Sequence, residues 1–138
     1  MKKVLILMAT YNGAKYLDEQ IQSLIEQKNV QVDILVRDDG STDNTIEVLN
    51  KWKEQNKLEW YKGKHLNVQF GFYDLMERAR TRDVDYLAFC DQDDVWDLDK
   101  LCIAVEKLEK LCNKSMPALY YCGQRLVDEN MKFIADHK

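Results

Sequence analysis

Residues 32–52 read VDILVRDDGSTDNTIEVLNKW, and the change of pattern inside this stretch decides the fold. Residues 32–36 form a short, mostly apolar run of the kind found in a strand covered on both faces. Asp38, Asp39, Gly40, Ser41, Thr42 and Asp43 follow, all of them turn and helix N-cap formers. Ile46, Leu49 and Trp52 then recur at helical spacing. A buried strand therefore runs through a polar loop into a helix, which is half of a βαβ unit.

The same alternation extends in both directions. Upstream, residues 4–8 are a solid apolar run, residues 10–15 a loop, and Leu17, Ile21, Leu24 and Ile25 mark a helix face. Downstream, residues 58–61 form a weaker, edge-type strand and residues 63–70 show no clear period. Phe72, Leu75, Met76 and Ala79 then share a helix face that belongs to the core. Residues 84–90 are a third strong strand ending in DQDDVWD. The longest helix is expected over 98–112, with Leu101, Val105, Leu108 and Leu111 or Cys112 facing inward. Residues 118–122 read as another strand, and RLVDENMKFIA (125–135) as a hairpin turning at 128–130. The order βαβαβαβαβ predicts an α/β fold: a Rossmann-like, doubly wound, mostly parallel sheet in three layers, α/β/α.

At 138 residues and 46% hydrophobic, with five Gly and one Pro, the chain is expected to form a single domain over residues 1–138. Its 20 basic and 24 acidic side chains leave a net charge of −4, which argues against a phosphate-backbone grip on nucleic acid. No apolar run reaches the ~18 residues of a membrane span, and the opening VLILMA is too short for a signal peptide. Cys90, Cys102, Cys112 and Cys122 show no CxxC pair and no His at ligand spacing, so buried reduced thiols and a cytoplasmic location are expected. His65 and His137 read as surface residues.

In open parallel sheets, ligands collect at the carboxyl ends of the strands. Three of the expected strands end in polar clusters: Thr10, Tyr11 and Asn12; Asp38, Asp39, Gly40 and Ser41; and Asp91, Gln92, Asp93 and Asp94. Together they make a rim with one aromatic and five carboxylates. Carboxylates crowded on one edge repel one another unless a cation sits among them. An all-oxygen ligand set suits the hard ions Mg²⁺ or Mn²⁺. The chain has neither a GxGxxG after its first strand nor a GxxxxGK[ST] loop. Phosphates would then be held through metal, which points to a nucleoside diphosphate as leaving group. Each residue also has a structural alternative: Tyr11 as a loop aromatic, Asp39 in an Asx turn, Asp94 or Asp97 capping the long helix, and Trp96 as packing.

The stretches LILMATYNGAKYLDEQIQSLIEQ (5–27), ILVRDDGSTDNT (34–45), YLAFCDQDDVWDLDKL (86–101) and RLVDENMKFI (125–134) resemble the N-terminal, nucleotide-sugar-binding part of family-2 glycosyltransferases. The fold that goes with the resemblance is GT-A, and within the family the chain looks like the rhamnosyltransferase-like group. The resemblance implies that Tyr11 flanks the nucleobase beside Thr10 and Asn12. It implies that Asp39 accepts a hydrogen bond from a uracil or thymine imide N–H, with Asp38 supporting the loop. Asp91 would lie near the ribose and the metal, Asp93 would be the principal metal ligand, and Asp94 and Trp96 would support the donor sugar.

The function so implied is inverting transfer of a sugar from a UDP- or dTDP-linked donor to an acceptor hydroxyl on a glycan or lipid-linked molecule, assisted by Mg²⁺ or Mn²⁺. Cell-surface polysaccharide synthesis at the inner face of the membrane, with peripheral membrane association, goes with it; self-association is expected for a separate reason, that later segments would normally cover one side of the sheet. Two departures stand out. The family's Gly-rich segment before the third helix reads LNVQFGFYDLM here, with Gly71 late and Gln69 bulky. Inverting members place their catalytic base in a later, acceptor-binding segment, so the chain is expected to be truncated ahead of it. Asp128, Glu129 and Asp136 sit on a turn or the tail and make poor substitutes. The alternatives are a non-catalytic nucleotide-sugar-binding fragment, a haloacid-dehalogenase-like phosphatase and a receiver-type phosphoacceptor. The phosphatase is disfavoured because its nucleophile strand belongs near the N-terminus with the acidic pair after it, whereas Asp38 and Asp39 precede the DQDDV strand end, and the receiver because its acidic pair should end the first strand.

Overall fold

A computed structural model of the chain describes residues 1–64, 68–111 and 115–137. The elements are β1 (Lys3–Thr10), α1 (Ala14–Ile25), β2 (Gln31–Asp38), α2 (Thr45–Glu54), β3 (Glu59–Lys62), α3 (Val68–Ala79), β4 (Tyr86–Cys90), α4 (Lys100–Leu111), β5 (Gln124–Val127) and β6 (Phe133–His137). They fall into two units, Met1–Cys102 and Ile103–Lys138.

The first unit is built on a four-stranded parallel sheet of order β3-β2-β1-β4. The chain steps outward from β1 to β3 and then returns to the other side of β1, so the strand order reverses between β1 and β4. That reversal is the switch point at which open α/β sheets hold their ligands. Side chains alternate across the sheet. On one face Leu5, Leu7 and Leu35 pack with Leu75 and Ala79 of α3, with Phe72, Met76 and Val84 closing around them. The intervening residues Val4, Ile6, Met8, Ile34 and Val36 are also buried, as are Leu17, Ile21 and Leu24 of α1 and Leu49 of α2. Burial of both faces explains why β1 and β2 are solid apolar runs rather than alternating ones.

Polar bonds fasten the start of α4 to the turn after α1. The Leu101 N–H donates to Gln27 Oε1 at 2.9 Å, and Gln27 Nε2 donates to the Asp97 carbonyl at 2.7 Å. In the second unit β5 and β6 pair antiparallel. The expected turn is present, with Asp128 Oδ1 accepting the N–H groups of Asn130 and Lys132 at 2.9 Å each.

Four expectations are corrected. Residues 118–122 form no strand; Leu119 is 79% and Tyr121 86% exposed. An apolar run with β propensity needs a neighbouring ladder to become a strand, and among the described residues this one has none. Along α4, Leu101 is buried but Val105 and Leu108 are only partly so, and Leu111 is 81% exposed. α4 begins at Lys100, two residues later than expected, and the Lys100 N–H donates to the Asp97 carbonyl at 3.1 Å. Among the described residues only Cys90 is a buried thiol, since Cys102 is half-buried and Cys122 exposed. His137 is exposed as expected; His65 and Cys112 lie outside the described residues.

Leu75 is fully buried between α3 and the sheet, so Leu75→Ala is expected to cost about 3 kcal/mol in urea unfolding. Leu119→Ala should stay within about 0.5 kcal/mol. Alkylation of the native protein should modify Cys122 and spare Cys90, which reacts only once the chain is unfolded; equal labelling of the two would contradict the packing around β4.

Candidate functional site

The parallel register brings the strand ends to a common edge. Thr10 stands opposite Asp38 across the β1–β2 ladder, and Met8 opposite Cys90 across β1–β4. The three polar loops that follow therefore leave the sheet side by side.

Asp38 is fully buried and its carboxylate organises the β2 loop. Oδ1 accepts from the Thr10 hydroxyl at 2.8 Å and the Ser41 hydroxyl at 2.6 Å. Oδ2 accepts from the N–H groups of Gly40 at 3.1 Å and Ser41 at 2.9 Å. The turn takes Gly40 to φ +90°, a conformation that favours glycine. Asn12, at φ 47°, links the neighbouring loop: its N–H donates to Ser41 Oγ at 2.9 Å, and its Oδ1 accepts from Thr42 N–H at 2.8 Å and Asp43 N–H at 3.3 Å. Asp43 and Thr45 complete the join, with Gly13 N–H donating to Thr45 Oγ1 at 3.0 Å and Thr45 N–H to Asp43 Oδ1 at 2.9 Å. Hydrogen bonds from Thr45, the largest influence, hold the Asp43 carboxyl below its usual range.

Gln92 ties the β4 loop to the β1 loop through a reciprocal pair. Tyr11 N–H donates to Gln92 Oε1 at 2.9 Å, and Gln92 Nε2 donates back to the Tyr11 carbonyl at 3.1 Å. The carboxamide lies so close to Gly13 that a Cβ there would collide with it. The Tyr11 side chain is exposed above this clasp.

Asp39 is nearly buried and pairs with the Arg37 guanidinium, Nη1 to Oδ1 at 3.1 Å. Asp91 and Asp93 are exposed, whereas Asp94 is half-buried. Burial, then the charges of Asp93 and Asp91, push the Asp94 carboxyl up from its ordinary value, with Lys100 opposing them. Cys90, just below this loop, is pushed up to about 12, chiefly by burial. Trp96 is buried; its backbone N–H donates to Ser23 Oγ at 3.1 Å, and Lys100 Nζ lies 4.8 Å from the centre of its ring. Among the described residues no three His, Cys, Asp or Glu side chains close on a common point.

The structure thus brings Thr10, Tyr11 and Asn12 together with Asp38 and, through Gln92, with the Asp91 to Asp94 loop. Asp38 and Asn12 spend their polar atoms on the loops themselves, while Asp91, Asp93 and the Tyr11 ring face solvent. The supporting residues Gln92, Ser41, Asp43 and Thr45 were present in the motifs but not singled out. Arg37 has a sequence signal: strand alternation puts it on the same buried face as Leu35, where a charge demands a partner.

Comparison with known proteins bears on the fold and the family. The chain is 36% identical over 137 residues to the dTDP-rhamnosyl transferase RfbG of Shigella flexneri, covering 88% of this chain and 45% of that protein. It therefore spans a little under half the length of that relative. Among solved structures it matches S. aureus TarS 1-349 in complex with UDP, with TM-score 0.62 and 24% identity over 80% of this chain and 32% of that one. It also matches the mannosyltransferase PcManGT of Pyrobaculum calidifontis with GDP-Man and Mn²⁺, with TM-score 0.66 and 24% identity over 78% of this chain and 32% of that one. These likenesses agree with the doubly wound GT-A sheet. The family model for glycosyl transferase family 2 matches residues 5–132, which takes in all three loops at the sheet edge, and the chain belongs to that family.

Proposed function

We propose that this chain is the donor-binding part of an inverting glycosyltransferase that moves a sugar from a uridine or thymidine diphosphate to an acceptor hydroxyl. The observation that carries this reading is the convergence of three loops at the carboxyl ends of β1, β2 and β4, cross-tied by Thr10–Asp38 and Tyr11–Gln92. The match to a dTDP-rhamnosyl transferase and to structures solved with UDP and with GDP-Man supports it.

In this reading the exposed Tyr11 ring flanks the base and Asp39 accepts its imide N–H. Thr10, Asn12 and Asp38 keep the two loops in place, and Asp91 lies toward the ribose. Asp94 and Trp96 support the donor sugar from the β4 loop. Asp93, with Asp91, would hold Mg²⁺ or Mn²⁺. These exposed carboxylates suit an ion that takes one or two protein oxygens and completes its shell with phosphate and water, and the mutual repulsion felt by Asp94 is of the kind a cation relieves. When bound, the metal supplies Lewis-acid stabilisation of charge on the departing diphosphate. The base that deprotonates the acceptor is assigned to no residue of this chain.

The acceptor in this reading is a glycan or lipid-linked hydroxyl in cell-surface polysaccharide synthesis, reached from the cytoplasmic side. No helix among the described residues is long and apolar enough to cross a membrane.

Calorimetric titration with UDP and with dTDP, with and without Mn²⁺, tests the donor site. Binding is expected only with the metal present, weakened at least about tenfold in Asp93→Ala. A wild type that binds neither nucleotide, or an Asp93→Ala variant that binds as well, would sink the assignment. Donor hydrolysis by this chain separates an enzyme from a binding fragment: sugar release that is lost in Asp93→Ala supports turnover, and tight binding without release supports the fragment.

A further inference from the structure

Arg37 shares a sheet face with Leu5, Leu7 and Leu35, and its side chain is only 2% exposed. Burying a guanidinium is costly unless it is paired, and an apolar residue would fill the same position without that cost. The surroundings are shaped for the charge. Nη1 meets Asp39 Oδ1 at 3.1 Å, Nε meets Asp74 Oδ2 of α3 at 3.3 Å, and Nη2 donates to the Lys64 carbonyl at 2.8 Å. Two glycines make the space. A Cβ at Gly71 would stand 2.9 Å from Nη1, and one at Gly63 would collide with the guanidinium.

Asp74 is held in its turn by the Tyr61 hydroxyl, which donates to Oδ2 at 2.5 Å, and by Arg78, whose Nε lies 3.7 Å from the same oxygen and whose guanidinium stacks 3.7 Å from the Tyr61 ring centre. The guanidinium is thus fixed from β2, from the β3–α3 connection and from α3. Its remaining arm reaches Asp39, whose side chain is 11% exposed.

We propose that Arg37 is a positioning residue: it sets the Asp39 carboxylate for the base of a bound nucleotide, with Asp74 of α3 anchoring the guanidinium. This rests on the donor-site reading above and extends it to a residue that touches no ligand. Because Arg37 acts through Asp39, its removal affects recognition of the base and leaves recognition of the phosphates alone.

The test is a double-mutant cycle on the full chain, read by calorimetry with two probes, each with Mn²⁺: UDP, and inorganic pyrophosphate, which carries phosphates but no base. Arg37→Met is expected to weaken UDP about tenfold and to leave pyrophosphate unchanged. Asp39→Asn should show the same selectivity, and the double variant should bind UDP no more weakly than Asp39→Asn alone. Arg37→Lys, which restores the charge without the planar fork, should recover part of the loss.

Losses that add in the double variant overturn the proposal, because Arg37 would then act independently of Asp39. An equal loss for both probes also overturns it and leaves Arg37 a purely structural role, as does unchanged UDP binding. Should Arg37→Met fail to fold, Asp74→Asn releases the anchor while keeping both members of the Arg37–Asp39 pair. A smaller, UDP-selective loss then supports the proposal, and unaltered binding overturns it. A wild type that binds UDP no more tightly than pyrophosphate refutes base recognition itself, and is distinguishable because no substitution is involved.

Discussion

A carboxylate shut away from water must find its hydrogen-bond donors inside the protein or cost the fold several kcal/mol. Asp38, at the last position of β2, is shut away in this manner, and it meets the requirement by drawing donors from two places. The Thr10 hydroxyl comes from the end of the adjacent strand; the other donors come from the turn that Asp38 itself begins. One side chain therefore closes its own loop and clamps the neighbouring one. Ser41, once turned toward Asp38, presents its oxygen to the Asn12 N–H, and the Asn12 side chain returns the bond to the next residues along. The rim of the sheet is thus built from the inside outward. Residues that do not face solvent decide where the solvent-facing ones stand.

A second layer of charge lies beneath that rim on the α3 side. Asp39, Arg37 and Asp74 form a chain of alternating sign that runs from the buried Arg37 out to the half-exposed Asp74, and Tyr61 and Arg78 close its outer end. Burial, and then the Asp74 carboxylate, push the Tyr61 phenol above its ordinary value, so it stays a hydrogen-bond donor across the range in which proteins work. The chain of charge links β2, β3 and α3 just where the apolar packing of Leu5, Leu7, Leu35 and Leu75 ends. Apolar contact alone leaves helix position loosely specified along a sheet, whereas a charge that must meet its partner admits few placements.

Much of this was legible in the chain. The solid runs at 4–8 and 32–36 follow from burial on both faces, and the polar clusters after them mark the strand ends because turn residues have few other uses at such places. The hairpin about Asp128 was readable for the same reason. What could not be read was pairing across distance. The ALYYC run at 118–122 has the local character of a strand, yet a strand exists only where another offers it a ladder, and no local pattern records that. Gln92 stood among acidic neighbours that drew the chemical argument, while its own work is a bond to a peptide group 81 residues earlier. Arg37 was partly readable: the side it occupies follows from alternation, but its partners on α3 and at the sheet edge do not. Gly71, a departure from the expected glycine pattern, has its reason in the space that Arg37 needs.

The clasp between Gln92 and residue 11 runs to the peptide group of Tyr11, through its N–H and its carbonyl, and not to the ring. Those two bonds survive any exchange of side chain at position 11. The loop's path and the surface it shows to a ligand are thereby separable: one is written in Gln92, Gly13 and the backbone, the other in a single replaceable group. A lineage built on this frame can change what lies against the ligand at that point without having to rebuild the frame.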